Sequence, residues 1–426
     1  STSDVSTFSW LWIHEHAIGC ERCHGPGDAH AKIHSQLKVD TSLVDRIVQP
    51  AKLDRDVSEA ICSQCHLQGE VFVSATGKNI WNYRPGESLS SLRTDFKTAS
   101  QASEFRIVGH TEQLHASPCY QQSSTLTCIS CHNPHHHNQA AASIDAYRNA
   151  CAKCHDDAAC GIELATRQKA NSDNCSKCHM PKRDTNVTHA ALHHHTIGIH
   201  RESFQAIDET PSSESRMVAA NDSSTSDSEV YPILIDQRLS QQELDRRWAL
   251  AVHHFVFNGR QDESIQQEMP RAKRVLLELH RAGLVDADVM AALAKDYLDA
   301  GMIEPAKQLA TSLVQNEPLF PDAKTNAMDI LAQVAFRQQD NASALQWYQQ
   351  LTQARRVSGD HYLMGICQTN AGQVDDAIRS LKQALRIDPS LIVAHEQMAA
   401  LLDHQGKSDQ AAAHRMAIRE LRVAAP

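Results

Sequence analysis

Residues 126–135 read Leu126-Thr-Cys128-Ile-Ser-Cys131-His132-Asn-Pro-His135, two thiols three positions apart with an imidazole directly after the second. The same arrangement occurs as Cys20-Glu-Arg-Cys23-His24, Cys62-Ser-Gln-Cys65-His66, Cys151-Ala-Lys-Cys154-His155 and Cys175-Ser-Lys-Cys178-His179. Cys-x-x-Cys-His is the attachment signature of c-type haem. The two thiols form thioethers with the two vinyl groups of one haem, and the adjacent His binds the iron as proximal ligand. A single Cys-x-x-Cys also fits a zinc knuckle or a thioredoxin-like redox pair. Five copies with His always in the same place do not, because zinc requires no His at that position and a disulfide framework does not repeat one spacing five times. Five covalent haems c are therefore expected, with His24, His66, His132, His155 and His179 as proximal ligands.

Around these motifs the composition is uneven. Of the 13 Cys in 426 residues, only Cys367 lies outside residues 20–178, and 19 of the 26 His lie in the first 200 residues. The chain is 41% hydrophobic, enough for large folded cores. No stretch approaches the ~18–20 consecutive apolar residues of a spanning helix. A net charge of −10 disfavours a nucleic-acid backbone as partner. Haem is attached to thiols on the oxidising side of a membrane, so a periplasmic or extracellular location is expected. The opening Ser1-Thr-Ser-Asp4 has neither a basic nor an apolar signal region, so the export signal is expected to have been removed or to lie upstream. Cys119 and Cys160 remain outside the motifs. In an oxidising compartment such a pair is most simply a disulfide, with two buried free thiols as the alternative. Cys367 falls in a helical pattern and is expected to be a small buried residue.

An electron-transfer haem has both axial positions filled, whereas an open position signals substrate binding. Fourteen His beyond the proximal five lie in the first 200 residues, enough to supply every second ligand, and spacing alone does not choose among them.

Several longer stretches carry a family resemblance. They are Ile18-Gly-Cys-Glu-Arg-Cys-His-Gly-Pro-Gly-Asp-Ala-His30, Arg84-Pro-Gly-Glu87, Val108-Gly-His-Thr-Glu-Gln113, Cys178-His-Met-Pro181 and His189-Ala-Ala-Leu-His-His-His-Thr-Ile197, together with Leu126–His135. Over about residues 10–200 the chain resembles the cytochrome c-554-like multihaem family, which is related to multihaem nitrite reductases and hydroxylamine oxidoreductases. The resemblance implies His30, His135, His189 and His195 as distal ligands, with His194 a rival of His195 and His110 a fifth choice. It also implies tetratricopeptide repeats after the haem domain, as many members have. Catalytic relatives use an unusual proximal ligand or a cross-linking Tyr. Here all five motifs end in His, and Tyr83, Tyr120 and Tyr147 sit in no such motif, so no catalytic residue is assigned.

Three regions follow. Residues 1–203 form the pentahaem domain; they are too few to wrap five haems in separate cores, so the haems are expected to be the core and to lie close together. Residues 204–240 form a Ser-rich linker, with Asn221-Asp-Ser-Ser-Thr-Ser-Asp-Ser-Glu229 its most polar part and Tyr231-Pro-Ile-Leu-Ile235 an apolar piece expected to dock on a neighbour. From residue 241 to 426 a period near 34 residues points to an α-solenoid of tetratricopeptide helix pairs. Gly365, Gly372, Ala377, Leu381, Ala384 and Pro389 mark its clearest unit, and Ala399, Gly406 and Ala411 the next. Earlier units centre on Ala306 and Ala344, 38 residues apart, so one turn is expected to carry an insertion. The fold class is thus mainly α, with little regular sheet.

The expected function is electron transfer along five closely packed bis-His haems. The repeat surface would dock a redox-partner protein or another copy, and a head-to-tail contact between copies would build a filament. The competing expectation is a multihaem oxidoreductase acting on a small nitrogen or sulfur compound at one open haem. A scaffold with structural haems is the third.

Overall fold

A computed structural model describes residues 18–35, 47–101, 107–135, 144–184, 191–200, 228–260, 262–315 and 321–424. The chain divides into two units, residues 1–251 and 252–426. No helix among the described residues is long and apolar enough to cross a membrane.

The first unit is built of short helices and a small amount of sheet. Its elements are α1 (Glu21–His24), α2 (Asp28–His34), α3 (Arg55–His66), β1 (Val71–Ser74), β2 (Arg93–Thr98), α4 (His110–His115), α5 (Pro118–Gln122), α6 (Ile144–Ala152), α7 (Leu164–Asn171), α8 (Cys175–His179), β3 (Lys182–Asp184), β4 (Ala191–His193) and β5 (Val230–Pro232). None of these helices exceeds the 12 residues of α3, a length that is marginal in isolation and must be held by tertiary packing. β1 and β5 flank β2 in one antiparallel sheet, with Val71 opposite Phe96 and Phe96 opposite Pro232. β3 and β4 form a separate two-stranded ribbon.

The apolar core of this unit is small. Ala60, Leu67, Tyr83, Leu89 and Leu92 are buried together, with Ile233 and Leu234 packed on them. The first half of α9 (Gln241–Phe257) belongs to the same unit. Two of its side chains, Arg246 and Arg247, are 1% exposed. Arg246 donates to the Ser74 carbonyl at 2.8 Å, and Arg247 to the Ser90 carbonyl at 2.7 Å and Thr94 Oγ1 at 2.8 Å. Glu243 pairs with Arg247 at 2.6 Å. Buried charge is tolerated here because each guanidinium is hydrogen-bonded.

These contacts shift the domain boundary from where composition drew it. The apolar segment after the Ser-rich stretch docks on its own unit, with Val230 1% exposed in β5. Arg238 ties it down by pairing with both Asp56 and Asp236 at 2.8 Å. Residues 228–240 are therefore part of the first unit, and the division falls within α9 rather than at residue 240. Residues 201–227 of the expected linker lie outside the described residues.

The second unit is a stack of helix pairs. After α10 (Glu263–Arg281) come α11 (Ala287–Asp299) with α12 (Ile303–Gln315), α13 (Pro321–Arg337) with α14 (Asn341–Ala354), α15 (Ser358–Asn370) with α16 (Val374–Ile387), and α17 (Ile392–His404) with α18 (Ser408–Ala424). Asp286 and Asp340 cap α11 and α14 by accepting from Val289 N and Ser343 N. Ala306, Ala344, Ala377 and Ala411, the repeat centres read from the sequence, are all completely buried. Each buried cluster draws on three or more successive helices, as a tetratricopeptide-like stack requires. Cys367 is fully buried in one of them. The intra-pair turns place Gly301, Gly372 and Gly406 at φ near +74°, where a Cβ is unfavourable; the equivalent position in the second pair is Gln339 at φ 60°. The irregular 38-residue step is not a loop insertion. α13 has 17 residues where α11 and α15 have 13, so the extra four lengthen a helix by about one turn.

Candidate functional site

Each Cys-x-x-Cys-His segment forms one helical turn, and that turn explains the spacing. Positions i, i+3 and i+4 share a face of a helix, so both thiols and the imidazole project together. The turn is closed by backbone bonds from His24 N to Cys20 O (2.9 Å), His132 N to Cys128 O (3.0 Å) and His155 N to Cys151 O (3.0 Å). The second motif is the last turn of α3, the third a 3₁₀ turn held by a Thr127–Ser130 capping box, and the fifth is α8, capped by Asn174. α1, α6 and α8 contain no buried residue.

Two of the motif imidazoles are held by backbone carbonyls. His24 Nδ1–H donates to the Val48 carbonyl at 2.7 Å, and His179 Nδ1–H to the Gly198 carbonyl at 2.9 Å. That bond fixes the tautomer and leaves Nε2 with its lone pair outward, as in metal-ligating histidines.

The five motifs are neighbours in chain order. Cys23 lies close enough to Cys62 and Cys65 to feel their charge, although burial is the main reason its thiol is pushed up. Gln64, inside the second motif, donates to the Arg22 carbonyl inside the first at 3.4 Å. Cys62 and Cys128 are close enough for each thiol to perturb the other, which raises Cys128 and lowers Cys62. Cys151 neighbours both Cys131 and Cys175. Burial chiefly pushes the Cys151 thiol up to about 11. Each motif thus has a thiol near a thiol of the next motif in the chain.

Three of the five expected distal histidines lie near motif histidines, and two of the three, His110 and His195, also lie 4.3 Å from each other. His24 and His135 stack with ring centroids 5.9 Å apart and 13° between planes. His132 and His195 stand at 6.1 Å and 29°. Two imidazoles on one metal, each bonded at about 2 Å with the ring centre roughly 1 Å behind, place their centroids about 6 Å apart, so these pairs have the spacing of a bis-His site. His66 and His110 are closer, at 5.0 Å, with their Nδ1 atoms 2.9 Å apart; they must part by about 1 Å and turn Nε2 inwards to share an iron. Ligating imidazoles must be neutral. Burial, reinforced by neighbouring histidines, lowers His110 and His195 to about 4. His30 is on α2 with its ring 4.5 Å from His34, and His194 meets His200 edge-on at 5.9 Å. His189 lies outside the described residues. Among the described residues, no three or more His, Cys, Asp or Glu side chains converge on one metal position.

Two findings depart from the sequence reading. Cys119 and Cys160 are free thiols rather than a disulfide. Cys119 instead neighbours Cys131, Cys151 and Cys154, while Cys160 lies near Arg167. Motif reading also missed the residues that carry the His195 segment. Gln113 accepts from His195 N at 2.9 Å, and the buried Ser117 donates to His195 O at 3.1 Å and accepts from Ile197 N at 2.7 Å. Gln113 closes the quoted Val108–Gln113 stretch, so its signal was present; Ser117 had none.

The fourth and fifth motifs are clamped by Asp173, whose backbone sits at φ 52°. Its carboxylate accepts from Arg148 Nε and from Arg167 Nε (2.8 Å), and both arginines also reach Asp157. The Arg148 hydrogen bond chiefly holds the Asp173 carboxyl below the usual carboxylate range. A depressed carboxyl pKa stabilises the fold above its unfolded value, about 3.9, and the contribution disappears as pH falls through the folded value. Amide exchange over residues 144–179 is expected to stay slow in the wild type down to about pH 4 and to rise below it. Asp173→Asn is expected to show the fast exchange already at pH 7. Equal protection in the two proteins at pH 7 would remove the clamp from this account.

The fold and the motif row together define a class of architecture: a Cys-x-x-Cys-His unit of short helices followed by a tetratricopeptide-like stack. No protein-family model matches the chain, and no curated protein does. Among solved structures, a crystal structure of MamA is similar at 19% identity over 40% of this chain and 92% of its own, with a TM-score of 0.33. MamA 41-end from Desulfovibrio magneticus RS-1 is similar at 18% identity over 44% and 98%, with a TM-score of 0.35. The class of the second unit rests on its own helix pairs.

Proposed function

We propose that this protein is a multihaem c-type cytochrome, akin to the cytochrome c-554-like family, that passes electrons along five covalently attached haems. The observation that carries the reading is the set of five Cys-x-x-Cys-His turns, each with its reactive groups on one face and each beside the next motif in the chain. Cys20, Cys23, Cys62, Cys65, Cys128, Cys131, Cys151, Cys154, Cys175 and Cys178 would tether the haems, and the five motif histidines would hold the irons from one side. His135, His110 and His195 would close the first, second and third sites from the other side, and His30 and His189 complete the proposed distal set. Haem supplies a one-electron couple whose potential its axial ligands set, and paired His favours lower values than His/Met. The protein's part is to orient these imidazoles, keep them neutral and hold adjacent motifs together so that electrons can pass from haem to haem in chain order. The repeat stack would offer a surface for a redox-partner protein or another copy of the chain. Attachment chemistry of this kind belongs to the periplasm or the cell exterior.

The test is haem quantification per chain with optical and electron paramagnetic resonance spectra of the oxidised protein. Five covalent haems, all low-spin with bis-His character, is the expected result. A high-spin haem that binds cyanide or nitrite would move the assignment to an oxidoreductase. Bound zinc with no covalent haem would end the proposal.

A further inference from the structure

One buried acid is absorbed by neither the motifs nor the core. Glu59 on α3 is 3% exposed. Its Oε2 accepts from Tyr120 Oη at 2.8 Å and pairs with His115 Nε2 at 2.8 Å. Its Oε1 is buried with no hydrogen-bond partner. A buried carboxylate oxygen left unpaired costs free energy. Tyr120 is 7% exposed. Burial first, then its bond to Glu59, pushes the Tyr120 hydroxyl up and keeps it a donor. The Arg55 guanidinium and the His115 ring each lie 4.1 Å from the centre of the Tyr120 ring. His115 is the exposed member, at 26%, and gives the group its contact with solvent.

The position of this group decides its use. Glu59 precedes Cys62 by three residues on one helix, so the two side chains are neighbours at roughly 5–6 Å between Cβ atoms. Both Cys62 and Cys128 feel its charge. The titratable and charged groups facing it are thus Arg55 and Cys62 from α3, His115 from α4, Tyr120 from α5 and Cys128 from the third motif. We infer that Glu59, with His115 and Tyr120, is a proton-binding site that takes up a proton when the haem on the second or third motif is reduced. This rests on the haem reading above. With haem bound, the electron would come from a reduced one-electron donor protein and one proton from solvent by way of His115, whose Nε2 meets Glu59 Oε2. On reoxidation both would leave. The added electron would lessen the positive charge on a haem tethered at Cys62 or Cys128, which would favour a proton on the Glu59 carboxyl.

Spectroelectrochemical titration of the purified haem-loaded chain between pH 5 and 9 tests this. One couple is expected to fall with pH at up to about 59 mV per unit, the one-proton, one-electron slope. Glu59→Gln is expected to flatten that couple. The reduced-minus-oxidised infrared spectrum should show a protonated-carboxyl band in the wild type that Glu59→Gln lacks, which separates Glu59 from haem propionates. If Glu59→Gln does not load haem, Tyr120→Phe is the second variant: losing one donor to Oε2 is expected to move the sloping region to higher pH. pH-independent couples in the wild type, a Glu59→Gln titration like the wild type's, or an unmoved Tyr120→Phe profile would each overturn the inference. A chain without covalent haem shows no couple and defeats the haem reading itself, whereas five haems with flat couples defeat only the proton site.

Discussion

Changing Cys128 and Cys131 together to serine is expected to leave four haems per chain instead of five and to cut electron flow between the first two motifs and the last two. On the proposed reading each haem would hang on its own pair of thioethers, so the loss should be one whole haem rather than a graded decline. The third motif is the central one. Cys128 lies near Cys62 of the second motif, and Cys131 neighbours Cys151 of the fourth. His132 also stands 6.1 Å from His195, so without its haem the His195 segment loses a proposed partner while Gln113 and Ser117 still hold it. Intact-chain mass and haem absorbance read the count. Rapid reduction by a small donor reads the transfer, with part of the haem expected to leave the fast phase. Cys119→Ser, outside the motifs, should keep all five. A double variant that still carries five would remove this pair from the attachment set.

The second large effect is in the repeat stack. Gly365 on α15 faces α16 so closely that an added Cβ would meet Leu381 Cγ at 3.0 Å, Leu381 Cδ2 at 3.2 Å and the Ala377 carbonyl at 3.4 Å. Leu381 and Ala377 are both completely buried, so neither can swing aside into solvent. Gly365→Val forces three carbons into that contact and is expected to cost about 1–3 kcal/mol through overpacking. Gly359→Ala on the same helix is the control, since its nearest neighbour would be Val357 Cγ1 at 3.9 Å, an ordinary contact. A chain of two units need not unfold in one step. The readout is therefore amide exchange in α15 and α16, expected to accelerate for Gly365→Val and not for Gly359→Ala. Unchanged exchange in both would show that the helix pair tolerates separation.

The two predictions draw on different amounts of sequence information. Cys-x-x-Cys-His is a local rule: positions i, i+3 and i+4 meet on one turn whatever surrounds them, so all five turns could be read before any fold was known. Ala306, Ala344, Ala377 and Ala411 were legible for a related reason, because a repeat restates the same close helix contact at a fixed period. Glu59 was not legible. It looks like any helical surface acid until α4 and α5 bring His115 and Tyr120 over it. The Cys119–Cys160 expectation failed for the same kind of reason: counting leftover thiols says nothing of what each one neighbours.

The sequence by itself determined the five Cys-x-x-Cys-His turns and the period of the second unit, because each follows from spacing within one helical turn or one repeat. Tertiary structure alone decided which imidazole faces which. His66 and His110 are 44 residues apart, and His24 and His135 come from the first and third motif regions. It also decided that the extra residues of the second repeat lengthen α13, and that residues 228–240 join the first unit through β5. Strand pairing and ring pairing are set by what closes in space, and a linear pattern carries no such distance.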